Sequence, residues 1–234
     1  MKKTHNLLLL LCFCWLCLTN ITLALSTTDS LPPVITKNFK FNDGIYLGYD
    51  DFRCNTPVYA LEELKANLVT NPQTFITQVE FIQIKATGEV IDLDSIWGLC
   101  LGGIPYIRLP EGTIPKPLPA FAGLQLRGNI CYFAYEDVEM RKVKMPVYNP
   151  LHGIPYQTSF VERKQYLYYE KMLRFETGEI ADLNVENLVE WVADDPQLVK
   201  AAKVLDQAKE PDKLFRCLLI YDDRHLVRIG KCTN

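Results

Sequence analysis

The chain has few of the residues that catalysis uses most. Only three histidines occur in 234 residues, and one of them is His5. No Cys-x-x-Cys pair and no cysteine–histidine spacing suggests zinc or a redox centre. No Gly-x-Ser-x-Gly elbow surrounds a serine, and Gly102-Gly103 lacks the lysine and hydroxyl of a phosphate loop. Asp92-x-Asp94 begins like a calcium loop, but Ile96 and Trp97 fall where a ligand and the required glycine belong. The sequence therefore offers no catalytic residues, no metal ligands and no cofactor motif. A basic excess is also missing. The net charge is −3, which excludes the electrostatic footprint of a nucleic-acid binder.

Long apolar runs are absent but for one, Leu7 to Leu18. Its twelve residues fall short of the roughly 20 that a membrane-spanning helix needs. Lys2 and Lys3 precede the run, and the small residues Thr22, Ala24 and Ser26 follow it. This is the layout of a secretory signal peptide over residues 1–24, cut after Ala24 or Ser26. The expected protein is exported, whether periplasmic, cell-surface or secreted, with no transmembrane anchor after cleavage. Cys12, Cys14 and Cys17 follow bulky residues, which argues against a lipid anchor.

Five cysteines remain after cleavage: Cys54, Cys100, Cys131, Cys217 and Cys232. Five is odd, so at least one thiol stays free or pairs with another chain. Cys100, Cys131 and Cys217 lie among apolar neighbours and read as buried free thiols. Cys54 and Cys232 have more polar surroundings.

Residues 25–39 read as a mobile leader. Leu61, Leu64 and Leu68 have helical spacing over a short stretch. Residues 77–85, turning at Ala86-Thr87-Gly88 into 89–93, read as a hairpin. Residues 104–109 and 129–138 read as strands, joined by a proline-bearing surface loop over 110–123. A second proline-bearing loop, 145–156, is the best candidate boundary. Beyond it, 165–175 and 179–183 read as another hairpin, and helices follow. Asn184 caps one helix, Asp195-Pro196 opens the next and Pro211 a third. The turns ATGEVIDL (86–93) and ETGEIADL (176–183) share their chemistry. The fold class is α+β: an antiparallel β-rich part over 40–144, then a β-hairpin and C-terminal helices over 157–234, packed as one unit.

The most distinctive local cluster is IWGLCLGGIPYI (96–107). Trp97 and Tyr106 beside flexible glycines are candidate contact residues for a sugar or a peptide, although aromatics at such positions also fill cores. The two remaining histidines, His152 and His225, read as solvated. With Cys54 either one could form a catalytic dyad, and a carboxylate pair leaves no trace in sequence.

GIYLGYDDF (44–52), the IWGLC…YI stretch and FETGEIADLNVENLVEWVADDPQL (175–198) resemble a family of exported Bacteroidota proteins, a domain of unknown function. DKLFRCLLIYDDRHLVRI is similar to that family's usual close, except that Leu226 replaces a proline, and segment 110–119 is longer than the usual connection. The resemblance implies export and assigns no chemistry. The expectation is an exported, non-enzymatic binding or structural protein of the cell envelope, with a protein or glycan partner. The alternative is a periplasmic hydrolase using a cysteine or carboxylate site.

The exported chain should begin at Leu25 or Thr27. Intact mass spectrometry reads this directly, and retention of residues 1–20 would contradict it.

Overall fold

The computed structural model describes residues 31–111, 117–148, 150–153, 155–206 and 210–230. The expected signal peptide, 1–24, and residues 25–30 of the expected leader lie outside them. In chain order the elements begin with β1 (Val34–Ile35), β2 (Gly44–Tyr46), α1 (Tyr49–Arg53), β3 (Tyr59–Ala60), β4 (Leu64–Asn71) and β5 (Ile76–Ile84). β6 (Gly98–Leu101), β7 (Ile104–Arg108), β8 (Ala120–Gly123), β9 (Ile130–Tyr148), β10 (Pro155–Arg174) and β11 (Ile180–Asp182) follow. α2 (Val185–Trp191), α3 (Pro196–Lys203), α4 (Pro211–Arg224) and β12 (Val227–Arg228) complete the fold. Among the described residues, no helix is long and apolar enough to cross a membrane.

The strands form a seven-stranded sheet ordered β3-β2-β6-β7-β8-β5-β4, a three-stranded sheet β11-β10-β9 and the pair β1-β12. Every pairing is antiparallel. With its larger helices gathered after the long strands, the fold belongs to the α+β class.

Alternation along β9 and β10 explains the layers. Cys131, Phe133, Leu173 and Phe175 pack with Tyr46, Phe52, Cys100 and Ile107 of the region around the large sheet. Tyr132, Ala134 and Met172 meet Leu188, Trp191, Leu198, Leu214 and Leu218 of the helices. The three-stranded sheet is thus the middle layer, apolar on both faces. A third cluster holds Ile45, Val79, Leu99, Tyr106 and Phe121. Tyr59 of β3 and Leu64 of β4 both join it, so the seven-stranded sheet curls until its two ends share one core.

The helix starts follow the sequence. Asn184 accepts the Asn187 N–H at 2.8 Å, and Asp195 accepts the N–H groups of Gln197 and Leu198 at 3.1 and 3.0 Å. Pro196 and Pro211 open α3 and α4, where no donor is missed.

Several expectations are corrected. Leu61–Leu68 is one 3-10 turn, Leu61–Glu63, followed by strand β4. Leu64, Ala66 and Leu68 also alternate, and the ladder with β5 along all of β4 decides between the two patterns. The hairpin expected over 77–93 forms only near its turn. Ile84 N–H reaches Glu89 O and Ile91 N–H reaches Ile82 O, both at 2.9 Å, with one bridge at Gln83–Val90. Ala120–Gly123, expected in a surface loop, is β8, and Phe121 and Ala122 are fully buried. Within the expected leader, Val34–Ile35 pairs with β12 and Ile35 is buried, because its apolar side chain completes the first cluster. Within segment 145–156, β9 continues to Tyr148 and β10 begins at Pro155, so the parts on either side of it share one ladder.

The two similar turns close identically. Gly88 and Gly178 have φ of +73° and +78°, and their N–H groups reach Ile84 O and Arg174 O at 2.8 and 2.9 Å. Their surroundings differ. A Cβ on Gly178 would lie 2.7–2.8 Å from the Tyr49 ring, whereas at Gly88 the nearest atom is Gln83 Nε2 at 3.8 Å. Gly88→Ala should therefore cost about 1 kcal/mol from backbone strain alone. Gly178→Ala should cost clearly more, because the Tyr49 ring must move. Urea unfolding of both variants checks the order.

Candidate functional site

The expected contact pair does not form one surface. Tyr106 is 5% exposed within the third cluster. Trp97 is half-buried against the first cluster, stacked on Phe52 at 5.2 Å between centroids and edge-on to Tyr49 at 5.7 Å. Alternation along β7 sends Tyr106 and Ile107 to opposite faces of the sheet. Tyr106 therefore serves packing, while Trp97, packed on Phe52, keeps part of its surface exposed in a pocket beside Leu47 and Ile180.

The candidate nucleophiles are also occupied or covered. Cys54 is disulfide-bonded, so it presents no thiol to His152 or His225. Cys100, Cys131 and Cys217 are free and buried. Burial pushes the Cys131 thiol up to about 12, and it raises Cys100 as well. His152 is exposed near the end of the β9–β10 hairpin. His225 stacks on Tyr221 at 4.2 Å, with Nδ1 3.4 Å from Asp194 Oδ2. Arg224 binds Asp195 at 2.6 Å beside it. That cluster ties the start of α3 to the end of α4. Among the described residues, no group of three or more histidine, cysteine or acidic side chains is placed to hold a metal.

Asp222 is the carboxyl that burial raises most clearly, to about 7. It accepts the Ile130 N–H at 2.9 Å, joining α4 to the start of β9. Gly128 leaves the room for it, since a Cβ there would overlap the carboxylate.

What the structure does bring together is a cleft and an arm. The cleft, about 620 Å³, lies between the end of the β4–β5 hairpin and the base of β9–β10. Asn71, Gln73, Gln78 and Gln125 give it amides, Thr70 and Thr74 hydroxyls, and Tyr135 and Tyr168 aromatic surface. Ala134, Tyr135 and Glu136 line it consecutively. A strand shows three consecutive residues along its edge, not from one face, so the edge of β9 forms this wall. Phe75 closes the β4–β5 turn with φ of +55°, and its carbonyl accepts the Gly123 N–H at 2.7 Å. Asn71 Oδ1 accepts the Gln73 N–H at 2.9 Å within the same turn.

Beyond the cleft, β9 and β10 leave the body as a two-stranded arm. From Met140 to Lys144 every residue of β9 is exposed. In the ladder Met140 opposes Lys164, Lys142 opposes Glu162 and Lys144 opposes Phe160. One face of the arm therefore carries Tyr168, Tyr166, Met140 and Phe160, interspersed with Lys142, Lys144, Lys164 and Glu162. Tyr168, Tyr166 and Phe160 are 63%, 70% and 62% exposed. Sequence reasoning missed this surface because a strand uncovered on both faces has no apolar alternation.

No protein-family model matches the chain, and neither a curated protein nor a solved structure was found to be similar to it.

Two outcomes follow for the residues placed here. Trp97→Ala should destabilise the fold by about 3 kcal/mol, because it removes the ring stacked on Phe52. Denaturant unfolding measures this, and an unchanged midpoint would return Trp97 to the surface. For Asp222 the folded value lies above the ordinary 3.8, so its favourable contribution is present below pH 4 and lost as pH rises towards 7. The stability of the wild type relative to Asp222→Asn should fall across that window and then level off. Thermal melts from pH 4 to 8 read the difference.

Proposed function

We propose that the protein is an exported, non-enzymatic binding or structural protein of the cell envelope, and that it works through the β9–β10 arm and the cleft at its base. The arm carries this reading. Two-stranded ribbons are marginal in water when nothing covers them, and large uncovered apolar patches mark interaction sites. The partner that fits the aromatic face is a polypeptide with an acidic, partly apolar surface. Lys144 and Lys164 flank the aromatic rings, with Lys144 Nζ 5.9 Å from the Phe160 ring centre, while Lys142 faces Glu162. The signal-peptide layout and the resemblance to exported Bacteroidota proteins support the location.

A glycan partner is the second reading, favoured by the neutral amides and tyrosine rings of the cleft. The hydrolase alternative has less behind it. The Cys54 thiol is engaged in a disulfide, and Glu136 is the one acidic side chain among the described residues lining the cleft.

The test is capture from envelope extracts with the exported chain and with a Tyr166→Ser/Phe160→Ser variant. These side chains lie outside the three clusters, so the variant should melt like the wild type while capturing at least tenfold less partner, as loss of two aromatic anchors implies. Equal capture by both proteins would move the contact away from the arm's aromatic face. Turnover of a peptide, ester or glycan library would contradict the non-enzymatic reading.

A further inference from the structure

Among the described residues no strand pairs with the outer edge of β9, and its charges change sign halfway along. Tyr132 reveals which backbone groups face that edge. Its N–H donates to Leu126 O at 3.1 Å, and its C=O accepts from the Gln125 N–H at 2.9 Å. Both partners lie on the side away from β10. Backbone groups alternate along an antiparallel strand, and the β9–β10 register is unbroken from Ile130 to Val147. Ala134, Glu136, Val138, Met140, Lys142 and Lys144 therefore also turn their N–H and C=O outward. Among the described residues no strand pairs with that row, because β9 is the end of its sheet. Asp137 Oδ1 covers the Val138 N–H at 2.9 Å. The next outward position, Pro146, has no N–H and interrupts the row of donors.

Over the same stretch the sequence is Glu136-Asp137-Val138-Glu139-Met140-Arg141-Lys142-Val143-Lys144. The acids precede Met140 and the bases follow it. Such a strand is complementary to itself when turned end for end.

We propose that this edge pairs with the same edge of a second copy, antiparallel, with the two Met140 residues facing each other across a twofold axis. The inference rests on the reading of the arm as a contact surface and names its first partner. In this register Glu139 lies opposite the partner's Arg141, and Glu136 opposite the partner's Lys144. Twofold symmetry makes each contact twice. Only outward-facing residues can hydrogen-bond, so the register can shift only in steps that keep them opposed. A shift towards the acids places the two Glu139 side chains opposite each other. A shift towards the bases does the same to Arg141. Like charges directly opposite are unfavourable, so the pattern selects the register at Met140.

Geometry agrees with this choice. The nine paired residues span about 30 Å, so the two bodies lie at opposite ends of the joined arms. In this register Pro146 of each copy stands opposite Ala134 of the other, in the wall of the cleft. Each arm would end in the partner's cleft, whose amides suit an incoming backbone. On pairing, the Val138 N–H exchanges its bond with Asp137 for one to the partner's Lys142 carbonyl.

Sedimentation equilibrium of the exported chain tests the proposal. The expected result is a dimer that weakens as salt is raised. Arg141→Glu and Glu139→Arg should each weaken it by about tenfold or more, since each creates two like-charge contacts. Combining the two reverses both partners and should bring the affinity back to near the wild type. Circular dichroism and melting confirm that each variant is folded. Met140→Cys gives an independent reading. Opposed hydrogen-bonded residues lie about 5.5 Å apart at Cα, within disulfide reach, so this variant should cross-link under mild oxidation while Met145→Cys does not. A monomer at the highest soluble concentration, or a dimer indifferent to both single reversals, would overturn the inference. A monomer that still captured an envelope protein through Tyr166 and Phe160 would sink the self-pairing alone and leave the proposed function standing.

Discussion

The structure depends on one antiparallel ladder, between Ile130–Tyr148 and Pro155–Arg174. Its inner half supplies side chains to two of the three apolar clusters. Cys131, Phe133 and Leu173 face the large sheet, and Tyr132, Ala134 and Met172 face the helices. Each large side chain buried there contributes about 1.5–3 kcal/mol. The outer half keeps the same hydrogen-bonding pattern and loses both neighbouring layers. What remains is the ladder itself and cross-strand pairs such as Lys142–Glu162, whose charged atoms are 4.0 Å apart in solvent. An exposed pair of that kind contributes less than about 1 kcal/mol. The change from buried middle layer to bare ribbon occurs within one continuous pair of strands.

The helices hold the base of the arm in place. Asp222 of α4 receives the Ile130 N–H at the first residue of β9. The Arg174 guanidinium, at the last residue of β10, lies 4.8 Å from the Trp191 ring centre. Lys171 of β10 pairs with Asp182 of β11 at 2.5 Å. The Tyr49 hydroxyl donates to Phe175 O just past the end of β10. Both strands are thus tied at the base of the ladder, where Ile130 opposes Arg174, to α1, α2, α4 and β11. This is why the arm leaves the body in a fixed direction, and why the cleft beside it keeps its shape.

Much of the body was legible because its chemistry is local. Asn184, Asp195 and Pro211 mark helix starts by capping or by lacking a donor, and all three do so in the structure. The T-G-E turns were readable because only glycine adopts their positive φ cheaply. Leu61–Leu68 misled because eight residues with apolar positions 61, 64 and 68 suit a helix, while 64, 66 and 68 suit a strand. Only the pairing with β5 separates the two. β8 was hidden among prolines, since its partners β5 and β7 are distant in sequence. Trp97 and Tyr106 were visible as aromatics beside glycines, but sequence could not say which way they face. The sign change around Met140 was in plain view. It acquires meaning only once β9 is known to be the open end of a sheet.

Residue-level amide hydrogen exchange along β9 tests the central claim most directly, because the two sides of one strand report separately. At Arg141, Val143 and Met145 the N–H groups point to β10, and they should be protected at every protein concentration. The N–H groups of Met140, Lys142 and Lys144 point to the open edge. They should be protected at high concentration and exchange freely on dilution. Fast exchange at both sets would contradict the projecting ladder itself, and protection of both sets that persisted at any dilution would show the edge covered from within the chain.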